Sequence, residues 1–238
     1  MYREFAQHDP HIACVWTRDP APQARHHRIL PDACVDIVWG GTRLVVAGPA
    51  TGPKLATVSP NSPAFGVRFR VGAAGAALGI PAAELLDATV PLADVWSDGA
   101  QMTERIAERP SVAMLAELVR ARLTRAPDAL VRAAATGADP NLGARQLRRR
   151  FADAVGYGPK TLQRILRFQR FLALAQTRTE LARLALEAGY ADQAHLTREC
   201  SRLAGLPPAA LLASGAGPAG EASVSFKIDG PLAASLAA

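Results

Sequence analysis

Residues 179–203 read TELARLALEAGYADQAHLTRECSRL, and their pattern decides the fold of the C-terminal half. Leu181, Leu184, Ala185 and Ala188 fall on one apolar stripe at helical spacing. Gly189 stops that helix, because glycine enters the left-handed conformation without a Cβ clash. Tyr190 and Ala191 complete a tight turn, and Asp192 is a good N-cap for a second helix. In that second helix Leu196, Cys200 and Leu203 face inward at i, i+4 and i+7. The opposite face offers Gln193, Ala194, Thr197 and Arg198, side chains that can meet base edges and phosphates in a major groove. An ordinary helical hairpin with a solvated polar face has the same pattern, so the neighbouring sequence has to separate the two.

A second signal lies about fifty residues upstream, where residues 141–151 read NLGARQLRRRF. Leu147 and Phe151 form the inward pair, while Arg145, Arg148 and Arg149 share the outward face. A long helix is expected over Pro159–Gln176, with Leu162, Ile165, Leu166 and Leu172 apolar and Arg164, Arg167 and Arg170 recurring at spacing three. Between Arg145 and Arg170 there are eight basic residues and one acid, Asp153. Charge of one sign next to a candidate recognition helix favours phosphate contact over a merely solvated face.

The wider charge distribution agrees. Residues 1–110 carry 10 Lys/Arg and 11 Asp/Glu, whereas residues 111–213 carry 16 and 8, so the net charge of +6 sits on the C-terminal half. That is the electrostatic footprint of a nucleic-acid binder. No apolar stretch approaches the length of a membrane span, and the first ten residues lack an apolar signal region. A soluble cytoplasmic protein is expected. The three cysteines, Cys14, Cys34 and Cys200, are odd in number and far apart, which argues against a disulfide framework or a structural zinc site.

The N-terminal half reads differently. Ala13–Trp16, Cys34–Trp39, Arg43–Ala47 and Ala64–Val71 are strand-like runs separated by Pro, Gly, Asp and Asn. Gly40-Gly41-Thr42 should join two of them as a hairpin. Gly72–Leu78, Pro81–Leu86, Gln101–Glu108 and Ser111–Leu123 are helix candidates, followed by Asp128–Ala135, Ala144–Ala154, Glu180–Ala188, Gln193–Leu203 and Pro207–Leu212. Ser223–Ile228 could add a stray strand in a Gly/Ala/Ser-rich tail. The fold expected is α+β: a small β-rich domain at 1–108, a connecting helix and linker at 109–127, an all-α double helix-turn-helix domain at 128–213, and a flexible tail at 214–238.

With these elements in place a resemblance becomes specific. The strings RQLRRRF (145–151), GYGPKTLQRILRFQRFLALA (156–175), LALEAGYADQAHLTRE (184–199) and RLAGLPPAAL (202–211) resemble the DNA-binding domain of the AraC/XylS family of bacterial regulators. The resemblance implies two helix-turn-helix units joined by a linker helix, here Pro159–Gln176, with recognition helices entering successive major grooves about 34 Å apart. It implies double-stranded DNA as partner. Arg145, Arg148 and Arg149 would be one set of base readers, and Gln193, Thr197 and Arg198 the other. Lys160, Arg164, Arg167 and His195 would lie along the DNA backbone. Two departures stand out: Gly143 occupies a usual Ser/Thr N-cap, and the run before Asn141 is shortened. In the second unit Cys200 and Leu203 replace usual aromatics. LPDACVDIVW (30–39), LVVAGPATGP (44–53), GVRFRVGAAGAALGIPAAEL (66–85) and VPLADVW (90–96) resemble a domain of uncharacterised function found ahead of such DNA-binding domains. Position alone makes it a sensor of a small effector or a homodimerisation module.

No cofactor, metal site or catalytic residue is expected. His26, His27, Asp32 and Asp36 lack metal-ligand spacing and any nucleophile–base pattern. Asp36 is better read as an ion-pair partner of Arg68 or Arg70. The Gly-rich stretch 66–79 lacks the order of a phosphate loop. Trp16, Trp39 and Trp96 fit a core better than a ligand cage. The competing reading of the whole chain is a ligand-binding or protein-interaction module with a degenerate first helix-turn-helix that does not read an operator alone.

Overall fold

The computed structural model describes residues 2–23, 25–58, 60–135, 141–176 and 180–214, with backbone alone at 25, 26, 57 and 58. The chain forms two compact units. One comprises Met1–Arg25, Cys34–Pro49 and Thr57–Pro159; the other comprises His26–Ala33, Ala50–Ala56 and Lys160–Ala238. The expected stray strand at Ser223–Ile228 and the tail lie outside the described residues.

The first unit is built on a six-stranded sheet. In chain order its strands are β1 (Tyr2–Ala6), β2 (Ile12–Arg18), β4 (Asp36–Trp39), β5 (Leu44–Ala47), β7 (Ala64–Phe69) and β8 (Thr89–Pro91). They lie side by side as β1-β2-β7-β4-β5-β8, each pair antiparallel. The expected hairpin is present, with Trp39 opposite Leu44 and Gly41 at φ 96°, a conformation open to glycine. The strand alternation sorts side chains onto two faces. Val15, Ile37, Trp39, Leu44, Val46, Phe65, Val67 and Phe69 turn to one face. They share a core with residues of α1 (Ala74–Leu78), α2 (Gly99–Glu108) and α3 (Val112–Arg120). Ser111 caps α3 by accepting the Met114 amide at 3.3 Å.

The other face carries a polar network. Arg68 donates to both Asp36 oxygens at 2.9 Å, and to Glu4 at 3.1 Å. Trp16 Nε1 donates to Asp36 at 3.0 Å. Asp36 and Arg68 are opposite one another in the β4–β7 register, which brings the pair together without long-range searching. Arg70, the other candidate partner, instead donates to the carbonyls of Gln7 and Asp9 at 2.7 Å. Gly66 makes room for this layer, since a Cβ there would lie 2.7 Å from the Trp16 ring. All three tryptophans are buried.

Two further helices, α4 (Ala129–Ala135) and α5 (Ala144–Val155), belong to this first unit. The second unit holds α6 (Pro159–Leu174), α7 (Leu181–Ala188), α8 (Gln193–Ala204) and α9 (Pro208–Ala213). It also holds most of a two-stranded ribbon of β3 (Arg25–Ile29) and β6 (Lys54–Val58), which arises from the N-terminal half. Sequence reading missed β1, β3, β6 and β8. Their length explains it: YREFA and KLATV are five residues each, too short for a clear alternation, and β8 spans three residues ending in proline.

The Asp36–Arg68 pair is almost fully buried, so Asp36→Ala removes the bidentate partner of an enclosed guanidinium. Urea unfolding should show a loss of about 3 kcal/mol, the cost typical of stranding one member of a buried pair. A loss of a few tenths would mean the pair behaves as an exposed one.

Candidate nucleic-acid interface

The α7–turn–α8 segment forms as its local chemistry dictates. Leu184, Ala185 and Ala188 bury one side of α7. Gly189 ends the helix at φ 92° and its amide returns to the Leu186 carbonyl at 3.0 Å. Asp192 Oδ1 accepts the His195 amide at 2.6 Å, closing the N-terminus of α8. Leu196, Cys200 and Leu203 are buried under α8. The swaps to Cys200 and Leu203 therefore keep the helix seated. Burial pushes the Cys200 thiol up to about 12, so it stays neutral and serves as a small apolar group.

Two arginines of α6 join α8 and the turn. Arg164 makes a fork on Glu199, Nε to Oε2 at 2.7 Å and Nη2 to Oε1 at 3.1 Å. Arg167 stacks over the Tyr190 ring, 5.5 Å from its centroid, and Tyr190 meets His195 edge-on at 5.2 Å. Burial raises the Tyr190 phenol well above its ordinary value, so the ring stays neutral beneath the guanidinium. α6 itself buries Leu162, Ile165, Leu166, Phe168, Gln169, Phe171 and Leu172 and is a core element of its unit.

The outer side of α8 is the face read from sequence. Gln193 and Arg198 are exposed; Thr197 and His195 are half-buried. Thr197 returns its hydroxyl to the Gln193 carbonyl at 2.8 Å. Lys160 is exposed at the start of α6. Arg164 and Arg167 are half-buried; Arg164 is engaged by the Glu199 carboxylate, while Arg167 lies over the Tyr190 ring.

The first pair of helices is α4 and α5. α4 has seven residues, and Asp128 caps it by accepting the amides of Leu130 at 2.9 Å and Val131 at 3.2 Å. The same carboxylate accepts Arg150 Nη1 at 2.9 Å, tying α4 to α5. The helix expected at Asp128–Ala135 is thus present as Ala129–Ala135. Residues 137–140, in the shortened run before Asn141, lie outside the described residues. Gly143 is the N-cap of α5 and offers no side-chain bond, as the residue type requires. Phe151, Ala154 and Val155 are buried, and the C-terminal turn of α5 presses against α1: a Cβ on Gly75 would lie 2.2 Å from the Asp153 carbonyl oxygen. Close packing is therefore what Gly75 of the Gly-rich stretch serves. Arg145, Arg148 and Arg149 remain exposed, and Arg148 Nε also reaches the Ala144 carbonyl at 3.2 Å.

Beside α5 lies a cleft of about 510 Å³ within the first unit. Its lining includes Gly72, Gly75 and Ile80 together with Arg125, Asp128, Arg150 and Asp153. Among the described residues, no group of three or more His, Cys, Asp or Glu is placed to hold a metal ion. No helix among them is long and apolar enough to cross a membrane.

Sequence reading did not single out Glu199 or Gln169 for a role, and gave Tyr190 only a place in the turn. Helical spacing placed them on helices or turns, but their partners are far away in the chain: Arg164 and Glu199 are 35 positions apart.

Residues 7–91 match the model described as Domain of unknown function (DUF6597), and residues 137–214 match the one described as Helix-turn-helix domain. Two solved structures of ToxT from Vibrio cholerae are similar over most of the chain. An apo point variant is 12% identical, with 87% of this chain and 98% of that one covered, at a TM-score of 0.34. A second ToxT structure is 9% identical, with 89% and 96% covered, at a TM-score of 0.32. Superpositions this loose do not establish a shared fold. No curated protein matches the chain. Domain content and geometry agree on one statement: a domain of the DUF6597 type precedes a helix-turn-helix domain.

Proposed function

We propose that the protein is a sequence-specific, cytoplasmic transcription regulator that docks on double-stranded promoter DNA through α8 and α5. The observation that carries this reading is α8: a capped twelve-residue helix behind a left-handed glycine turn, seated by Leu196, Cys200 and Leu203, with Gln193 and Arg198 exposed. Gln193, Thr197 and Arg198 read bases on one site, and Arg145, Arg148 and Arg149 on another. Lys160, Arg167 and His195 contact phosphates. Arg164 acts through Glu199, holding α8 at its angle. In this division of labour residues 128–213 are the DNA-binding part, 1–108 sense a small effector or mediate homodimerisation, 109–127 connect the two, and 214–238 form a flexible tail.

Selection from a random DNA library with the purified protein tests the reading directly; an enriched motif is expected, and recovery of unbiased sequence would overturn it. Given that motif, Arg198→Ala should weaken specific binding by ~1–3 kcal/mol and relax preference at one base step. Unchanged affinity and preference in a mobility-shift titration would remove Arg198 from the base readers. Arg164→Ala should weaken binding about tenfold, ~1.4 kcal/mol, while the slope of log affinity against log salt stays as in the parent. A slope shallower by about 0.9 would instead make Arg164 a phosphate contact.

A further inference from the structure

The recognition-helix unit is completed by residues from the other half of the sequence. His26–Ala33 and Ala50–Ala56 belong to the same compact unit as α6–α9. The contacts concentrate at the C-terminal end of α8. Arg28 Nη1 donates to the Ala204 carbonyl at 2.9 Å, across 176 positions of sequence. Gly205 ends α8 at φ 70°, and a Cβ there would meet Arg28 Nη1 and the Pro53 ring, each at 3.3 Å. Gln169, buried on α6, donates Nε2 to the Pro31 carbonyl. Both segments thus meet α6 or the end of α8.

The chemistry suits the place. The last carbonyls of a helix lack intrahelical donors, and they carry the negative end of the helix dipole. A guanidinium satisfies the acceptor and complements the dipole. At the opposite end Asp192 does the reciprocal task for the first amides. Between them Arg164 grips Glu199. α8 is therefore held at its start, its middle and its end, and the hold at its end comes from the N-terminal half. The chain enters this clasp directly from the sheet unit: Ala33 is followed by β4 at Asp36, and Ala50 follows β5, which ends at Ala47. The β4–β5 hairpin and the clasp are one continuous excursion.

We infer that Arg28 is a positioning residue for DNA reading, setting the C-terminal end of α8 through the Ala204 carbonyl. This rests on α8 being a base-reading helix.

The test uses the full chain and two readouts, one of them free of DNA. Hydrogen exchange compares the parent with Arg28→Ala and Arg28→Lys. Arg28→Ala should speed exchange several-fold at the amides of Leu203, Ala204 and Gly205 while leaving the sheet amides of β2 and β7 unchanged. Arg28→Lys, which keeps a donor and the charge, should restore most of the protection. On the selected motif, Arg28→Ala should lose several-fold in discrimination against mismatched sites, with nonspecific affinity and its salt slope retained. Unchanged exchange at 203–205, or exchange that quickens equally everywhere, would overturn the positioning role. So would local opening with base discrimination intact. If the parent selects no motif, the DNA-reading function fails, and the inference that rests on it falls too. The exchange arm then still reports whether Arg28 holds the end of α8.

Discussion

The fork of Arg164 on Glu199 is the contact on which the seating of α8 depends. α8 has twelve residues, a length at which an isolated helix is marginal in water. Its caps and its buried stripe of Leu196, Cys200 and Leu203 keep it helical and seat one face. A bidentate guanidinium–carboxylate pair is directional as well as attractive. Fixing Glu199 to Arg164 of α6 therefore fixes which side chains of α8 point outward. Arg167 against Tyr190 does the same for the turn that delivers α8.

This arrangement changes the meaning of the basic residues. Sequence shows sixteen of them between 111 and 213, and each looks available to phosphate. In the fold some are structural. Arg164 is spent on Glu199, Arg150 on Asp128, and Arg183 on Glu187 one helical turn away. Arg145, Arg149, Arg198 and Lys160 stay exposed. The long-range field is still basic, because pairing an arginine with an acid leaves the total charge unchanged. Pairing alters which cations are free to make close contact. The same economy governs the first unit, where Asp36 and Arg68 neutralise one another on a sheet face instead of forming a reactive cluster.

Much of the second helix-turn-helix was legible because its signals are local. Gly189 and Asp192 act within a few residues of themselves, and the apolar stripes need only helical periodicity. The Gly40-Gly41-Thr42 hairpin and the helix beginning at Ser111 were legible for the same reason. The edge strands were not. β1 is paired on one side by β2, and a strand with one neighbour and a largely exposed surface needs no apolar alternation. The ribbon strand β3 reads RHHRI, which no periodicity rule assigns to a sheet.

Sequence by itself determined the element types of the C-terminal half, the glycine stop of α7 and the Asp192 cap of α8, and the outward face of α8. Those features arise from dihedral preferences and short-range hydrogen bonds. Tertiary structure alone decided the partners: Arg164 with Glu199, Asp36 with Arg68 rather than Arg70, Gly75 against the Asp153 carbonyl, and Arg28 at the end of α8. A charged side chain carries no record of its partner in its own neighbourhood. The choice is made only when packing brings two distant stretches within hydrogen-bond reach and excludes the water that would otherwise serve both.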